Sequence, residues 1–358
     1  MTTNPISICY FPGRESQYSR TRVLLKGMQE AGLNVYDCSY PKKNALRYFV
    51  GFSKFLRCKH QCDVILIGFF GQFLVPLVKI FTRKKIIFEA FVSAYQTLAY
   101  DRCSIDPRGI LAKCIRTIER LSCQLADIVL LDTEEHIKYF TQEYHLEKDK
   151  FYKSPVSCDT TVMYPRAEED PHKFIVHFHG EFQALHGANY IIEAAQILPE
   201  TFFQLVGKGK GLNECRCLVD KYRLTNVQFS SSVSLEELSS LMAKASVCLG
   251  IFGNTPKTQM VIPFKVYEAM AMRKAIITAD TPAIRELLTH QKNAYLCRTA
   301  DAQSLANAIC VLRLDQGLRQ AIAEQAYQTF QHQCTPKIVG EQIREFAKNL
   351  TKEPRYVR

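Results

Sequence analysis

The sequence contains no Asp-x-Asp pair and no Cys-x-x-Cys pair, and residues 41–60 hold no acidic side chain. The first absence removes the commonest signal for a metal-dependent nucleotide-sugar site. Also missing is a basic amino-terminal run followed by an apolar core and a small-residue cleavage site, so no signal peptide is read. Without an export signal, the fourteen scattered cysteines are expected to be reduced thiols, many of them in cores, and not a disulfide framework. A clean membrane-length run is lacking too. The longest apolar stretch, Val64 to Phe81, is interrupted by Gly68, Gly71, Gln72, Pro76 and Lys79. It reads as a buried strand, a turn and a helix instead of a span.

What is present is ordinary globular material: 358 residues, 47% hydrophobic and 23% charged, with a net charge of +11. At ~150 residues per domain the length argues for two domains, and the charge favours anionic partners. Short apolar runs alternate with helical periodicity from Ile6 to Ser154. The pattern breaks near 156–172 and restarts at Lys173. Such alternation predicts parallel sheets covered on both faces, here two doubly wound α/β domains in tandem facing across a cleft. Ligands of such sheets bind beyond the carboxyl ends of the strands.

The stretch IFGNTPKTQMVIPFKVYEAMAMRKAIITAD, residues 251–280, holds the densest chemistry. It leaves a strand, crosses a Gly/Pro loop and enters a helix near Pro263, a residue favoured at a first helical position. Lys265 and Glu268, three apart, share one helical face. A lysine in a first turn opposes the helix dipole by roughly 0.3–1 kcal/mol. An anion at the helix start, where free N–H groups favour phosphate, removes that cost. The carboxylate one turn on can accept from two neighbouring hydroxyls such as those of a ribose.

Other candidates follow the same logic. The loop Gly180-Glu181-Phe182-Gln183-Ala184-Leu185-His186-Gly187 lies between a strand and a helix, the geometry for anion capture. His186 at the helix start suits a phosphate or a sugar hydroxyl. His177 and His179 share a strand face, and a zinc site with His186 lacks a fourth ligand. Gly207-Lys208-Gly209-Lys210-Gly211 is a Gly-rich turn without the Walker ending or the dinucleotide fingerprint. Pro12-Gly13-Arg14 and Glu89 both fall at strand ends, Glu89 as a candidate acceptor-binding carboxylate or base. Residues 42–59 interleave Lys42, Lys43, Arg47, Lys54, Arg57 and Lys59 with Leu46, Phe49, Val50, Phe52, Phe55 and Leu56. This pattern fits an interfacial helix on an anionic membrane. No nucleic-acid motif is found.

Several runs resemble the retaining glycosyltransferases of family four (glycosyl transferases group one), which have the GT-B fold. HFHGEFQALHGANYIIEAAQIL is similar to that family's phosphate loop and helix. FQLVGKGKG is similar to its next strand and turn, and PFKVYEAMAMRKAIITADTPAIREL to its donor-binding helix, strand and turn. NAYLCRTADAQSLANAI, YSRTRVLLKGMQEAGLNV, ADIVLLDTEEHIKYF and VSCDTTVMYP fit further segments, so the resemblance spans nearly the whole chain. It implies an acceptor-side domain over 1–165, a donor domain over 166–335 and a last helix within 336–358 that returns to the first domain. The activity implied is metal-independent, retaining transfer from a nucleotide-diphosphate sugar to a carbohydrate or lipid-linked acceptor, as in envelope polysaccharide or glycolipid synthesis. No metal or other cofactor is expected. The basic segment 42–59 points to a cytoplasmic location, peripheral at the inner face of the cytoplasmic membrane.

By the resemblance Glu268 binds the donor ribose, residues 261–265 (with Pro263 and Phe264) face the diphosphate, and Gly13 with Arg14 lies near the phosphates. Gly180, Glu181, His186, Gly187, Gly207, Lys208 and Lys257 complete the donor set, with Lys265 and Glu89 as catalytic candidates. Met260 stands where a sugar-contacting glutamate is usual, Glu181 where an arginine is usual, and His186 where a lysine is usual. Lys265 and Lys257 are candidates to replace the lost charge. Two other readings fit these departures: a catalytically silent relative acting as a binding or scaffold subunit, and a nucleotide-sugar epimerase.

Overall fold

The computed structural model describes residues 5–102, 104–170 and 172–352. The chain divides into two compact units, residues 1–157 together with 335–358, and residues 158–334.

The first unit runs β1 (Ser7–Pro12), α1 (Ser19–Glu30), β2 (Asn34–Asp37), α2 (Leu46–Cys58), β3 (Val64–Gly68), α3 (Leu74–Phe81), β4 (Lys85–Phe91), α4 (Ala94–Gln96), α5 (Ile110–Leu125), β5 (Ile128–Leu131), α6 (Glu134–Tyr144) and β6 (Phe151–Lys153). Its strands form one sheet in the order β2-β1-β3-β4-β5-β6, all parallel. Strand side chains alternate between two cores. Cys9, Phe11, Ile65, Ile67, Ile86 and Phe88 join one, while Ile8, Tyr10, Val64, Leu66 and Ile87 join the other. A strand buried on both faces has no polar side to show, which is why these runs are continuously apolar. The Val64 to Phe81 run is a strand, a turn and a helix, as its interruptions predict. Helix α6 is capped by Thr133, whose hydroxyl accepts from the His136 N–H, with Glu134 and Glu135 in the first turn.

The second unit follows with β7 (Ile175–Gly180), α7 (Ala188–Ile197), β8 (Phe202–Gly207), α8 (Leu212–Tyr222), β9 (Val227–Ser230), α9 (Leu235–Lys244), β10 (Val247–Leu249), α10 (Phe264–Ala271), β11 (Ala275–Ala279), α11 (Pro282–Arg285), β12 (Tyr295–Cys297), α12 (Ala302–Leu314) and α13 (Gln316–Gln333). The sheet order is β12-β11-β10-β7-β8-β9, again parallel throughout. The order changes direction between β7 and β10, the switch point at whose carboxyl edge sheets of this kind place the crevice for their ligands.

The last helix, α14 (Pro336–Lys352), returns to the first unit. Its Val339, Ile343, Ala347 and Leu350 recur at helical spacing and cover Ile8, Tyr10 and Leu66. It meets α1 at two glycines. A Cβ on Gly27 would stand 2.1 Å from the Pro336 carbonyl oxygen, and one on Gly340 would stand 1.8 Å from the Gly27 oxygen. The helix predicted within 336–358 is thus present as far as Lys352; the remaining six positions lie outside the described residues, as does Pro171 of the predicted linker.

Candidate functional site

In the second unit two loops meet at the β7–β10 crevice. The β10 loop folds back on the β7 loop: Phe252 N–H donates to the His186 carbonyl at 3.0 Å and Gly253 N–H to that of Leu185 at 3.1 Å. Gly207 and Gly209, at the end of β8, let that turn lie against the same loop. A Cβ at Gly207 would be 1.9 Å from the Gly180 oxygen, and one at Gly209 would be 1.6 Å from that of Glu181. The Gly-rich turn therefore serves close backbone packing, and the Lys208 side chain is exposed.

Helix α10 starts at this junction. Pro263 is its N-cap rather than its first residue. Lys265 in the first turn is 5% exposed, and its ammonium has no hydrogen-bond partner. The nitrogen lies 4.0 Å from the centre of the Phe178 ring and 2.9 Å from where a Gly180 Cβ would be. Burial drags its pKa down to about 7, against the opposing pull of Glu268. A buried, unpartnered ammonium is costly, and an anion is what would satisfy it.

His186 is buried beside it. Its Nδ1 accepts from the Gln183 N–H at 3.3 Å, so the neutral ring carries its proton on Nε2. Burial, then its neighbours Lys265, His179 and Lys257, hold its pKa well below the usual histidine range. Lys257, 9% exposed, sits in the short turn Pro256–Gln259.

Glu268 is also buried, and its carboxylate ends a polar chain that the sequence shows only as alternating histidines. His179 Nε2 is 2.8 Å from Glu268 Oε2, His179 Nδ1 is 3.1 Å from His177 Nε2, and His177 Nδ1 is 2.9 Å from Gln204 Oε1. Burial lowers the His177 pKa to about 3, so that ring is neutral. With Gln204 Oε1 accepting, His177 donates through Nδ1 and accepts at Nε2 from His179. The other nitrogen of His179 faces the Glu268 carboxylate. These nitrogens are spent on one another, so the zinc reading of His177, His179 and His186 fails. Among the described residues these three do not form a set of converging metal ligands. Gln204 is the member no motif pointed to; its signal was only a polar residue inside an apolar strand.

The remaining predicted residues lie elsewhere. Glu181 is exposed and accepts from Gln183 Nε2 at 2.8 Å. Met260, on the loop before α10, and Phe264, the first residue of α10, are half-buried, and Gly187 is buried at the start of α7. Gly13 and Arg14 belong to the first unit. Gly13 packs on the Phe70 backbone, and Arg14 pairs with Glu15 at 3.1 Å while lying 4.1 Å over the Tyr18 ring.

Glu89 is not a strand-end carboxylate open to an acceptor. It is 1% exposed, within β4, with Oε1 held by Arg20 Nε at 2.5 Å and Oε2 by the Phe69 N–H at 3.0 Å. Burial raises its pKa and Arg20 opposes the rise. Arg20, unmarked in the sequence, also donates to the Pro155 and Val156 carbonyls at 2.7 Å each. The sequence likewise hides Glu119, fully buried in α5, where Tyr144 donates at 2.6 Å and the Ala94 N–H at 2.7 Å.

Residues 159–329 match the family model described as glycosyl transferases group 1. Search of curated proteins finds no match. Among solved structures, sucrose-phosphate synthase from Thermosynechococcus elongatus superposes with a TM-score of 0.75 at 15% identity, covering 97% of this chain and 99% of that one. HepE of Anabaena, solved with UDP, gives 0.73 at 14% identity, covering 96% and 100%. A second HepE structure holds UDP-glucose and gives 0.72 at 15% identity, covering 96% and 100%.

Proposed function

Because residues 159–329 are a glycosyl transferases group 1 domain, in a chain with the GT-B fold of a glycosyltransferase, we propose that the protein transfers a sugar from a nucleotide-diphosphate donor. The acceptor is a carbohydrate or a lipid-linked carbohydrate. The observation that carries this reading is the buried, unpartnered Lys265 ammonium in the first turn of α10. There the dipole and free N–H groups add their attraction for a diphosphate.

In this mechanism Lys265 and the start of α10 take the charge that grows on the leaving diphosphate, and His186 donates from Nε2. Glu268, held by His179, accepts from the two ribose hydroxyls. Departure and attack on one face of the sugar retain the configuration, and the ammonium takes the part that a metal plays elsewhere. Glu89 moves no proton; it positions Arg20. The bound UDP and UDP-glucose of HepE make uridine the first base to test. The acceptor lies at an anionic membrane surface, reached through the basic, apolar face of α2 and α3, in envelope polysaccharide or glycolipid assembly.

The test is calorimetry with UDP, GDP and ADP, with and without EDTA. One nucleotide is expected to bind selectively and independently of EDTA. Lys265→Met loses a hydrogen bond to a charged group, about 1.5–3 kcal/mol or roughly 10–100-fold in affinity, and Glu268→Ala loses a similar amount. Unchanged affinity in both variants sinks the site. A nucleotide-binding relative without turnover is a second reading, favoured by Met260 and Glu181 in the places where the family resemblance puts a glutamate and an arginine. It is separated by measuring nucleotide release from the sugar donor in the presence of acceptors.

A further inference from the structure

Four of the cysteines that look scattered in the sequence come together in the first unit. Cys9 is on β1, Cys38 directly follows β2, Cys58 ends α2 and Cys62 lies two residues before β3. Strand β1 pairs with both β2 and β3, and α2 packs over that face, so folding collects the thiols in one core. All four are buried, and none is in a disulfide.

The sulfurs of Cys9, Cys38 and Cys58 form a nearly equilateral triangle, with edges of 3.6, 3.8 and 3.4 Å. A tetrahedral zinc ion with Zn–S bonds of ~2.3 Å sets its sulfurs ~3.8 Å apart. Among the described residues these three form the one group of at least three candidate ligands whose donor atoms all lie within 4.8 Å of one another. Cys62 is the fourth. It lies in the same core, and its thiol donates to the Lys59 carbonyl at 3.5 Å. The Cys58-x3-Cys62 spacing lies within the two-to-four-residue gap common to zinc chelate pairs.

Charge is provided for as well. Lys54 Nζ donates to the Ser39 carbonyl at 2.8 Å, next to Cys38. Lys84 Nζ donates to the carbonyls of His60, at 3.4 Å, and Cys62. Two ammonium groups therefore stand on the segments that carry the sulfurs, placed to offset the negative charge of a thiolate set.

We propose that Cys9, Cys38, Cys58 and Cys62 hold a structural zinc ion. The thiols give up their protons as the metal binds, and Cys62 turns from the Lys59 carbonyl to close the tetrahedron. The ion ties β1, the end of β2, the end of α2 and the start of β3 into one unit. It is separate from the donor site, where no metal is proposed.

The test is the metal content of tag-free, full-length protein purified without chelator, read by mass spectrometry. Roughly one zinc per chain is expected. Replacement by cobalt(II) is expected to give the near-ultraviolet thiolate charge-transfer band and the intense visible bands of tetrahedral sulfur ligation. Cys58→Ser and Cys62→Ser should each lose most of the zinc, while Cys123→Ser, in the same core, keeps it. Since a ligand variant can unfold, the wild-type content and cobalt spectrum decide on their own. Absence of zinc together with a featureless cobalt spectrum overturns the proposal, as does full zinc retention in a folded Cys58→Ser/Cys62→Ser double variant.

Discussion

Lys265 illustrates how one side chain can make ligand binding report on pH. Its folded pKa is lowered to about 7 from the ordinary 10.5. Between these values the unfolded chain holds a proton that the folded one has lost, so this group's contribution to stability rises with pH through that window. Anion binding has the opposite sign. A diphosphate favours the ammonium, which in the free protein is about half populated near pH 7 and declines as pH rises. Nucleotide affinity is therefore expected to fall as pH rises from 7 to 9, by up to about tenfold per pH unit, with proton uptake on binding. Calorimetry in two buffers of different ionisation heat reads that uptake. Lys265→Met should bind more weakly with no such slope in this range; an unchanged slope in the variant would assign the proton to another group. The residue type and its helix position were legible in the sequence. Its isolation was not, because burial under Phe178 and Gly180 is set by a strand some eighty positions earlier.

At the scale of elements, the α1–α14 crossing depends on two hydrogen atoms standing where side chains would be. Gly340→Ala must push α14 away from α1, at about 1–3 kcal/mol. In a unit of this size that lowers the melting temperature by roughly 2–4 °C per kcal/mol. Gly317→Ala, whose Cβ would meet only Asp315 Oδ1 at 3.4 Å, should leave it nearly unchanged. Equal melting temperatures for the two variants would contradict the tight crossing.

Elements with a strong period were readable: the apolar strands and the amphipathic helices. Strand β12 was not, since three residues at a sheet edge leave no period to detect. Glu119 reads as an ordinary helix-surface glutamate beside Arg116 and Arg120, and only its donors from α4 and α6 reveal it. The polar chain behind Glu268 was half visible, because two histidines of one strand show in sequence while their partner Gln204 comes from the next.

For the molecule as a whole, the +11 charge is less informative than where it lies. Phe49 is 74% and Ile80 77% exposed, on helices α2 and α3. Those helices touch through Phe52 and Phe81, whose ring centres are 5.2 Å apart. Lys42, Lys43, Lys54 and Arg57 are exposed in or just before α2. Among the described residues no helix is long and apolar enough to cross a membrane. Flotation with vesicles containing phosphatidylglycerol is expected to carry the protein, with binding that weakens as salt rises. Phe49→Ser/Ile80→Ser should float substantially less. Equal flotation on neutral phosphatidylcholine vesicles would remove the membrane proposal.

The return of α14 also sets an order of assembly during synthesis. Chains are made from the amino end, and the domain made first generally folds first. Here Val339, Ile343, Ala347 and Leu350, which cover Ile8, Tyr10 and Leu66, are translated only after the whole of 158–334. The second unit is one uninterrupted stretch and can complete its core as soon as it clears the ribosome. The first unit has one face of its sheet uncovered until then, so a ribosome stalled near residue 330 would present a bare apolar surface to chaperones and to neighbouring nascent chains.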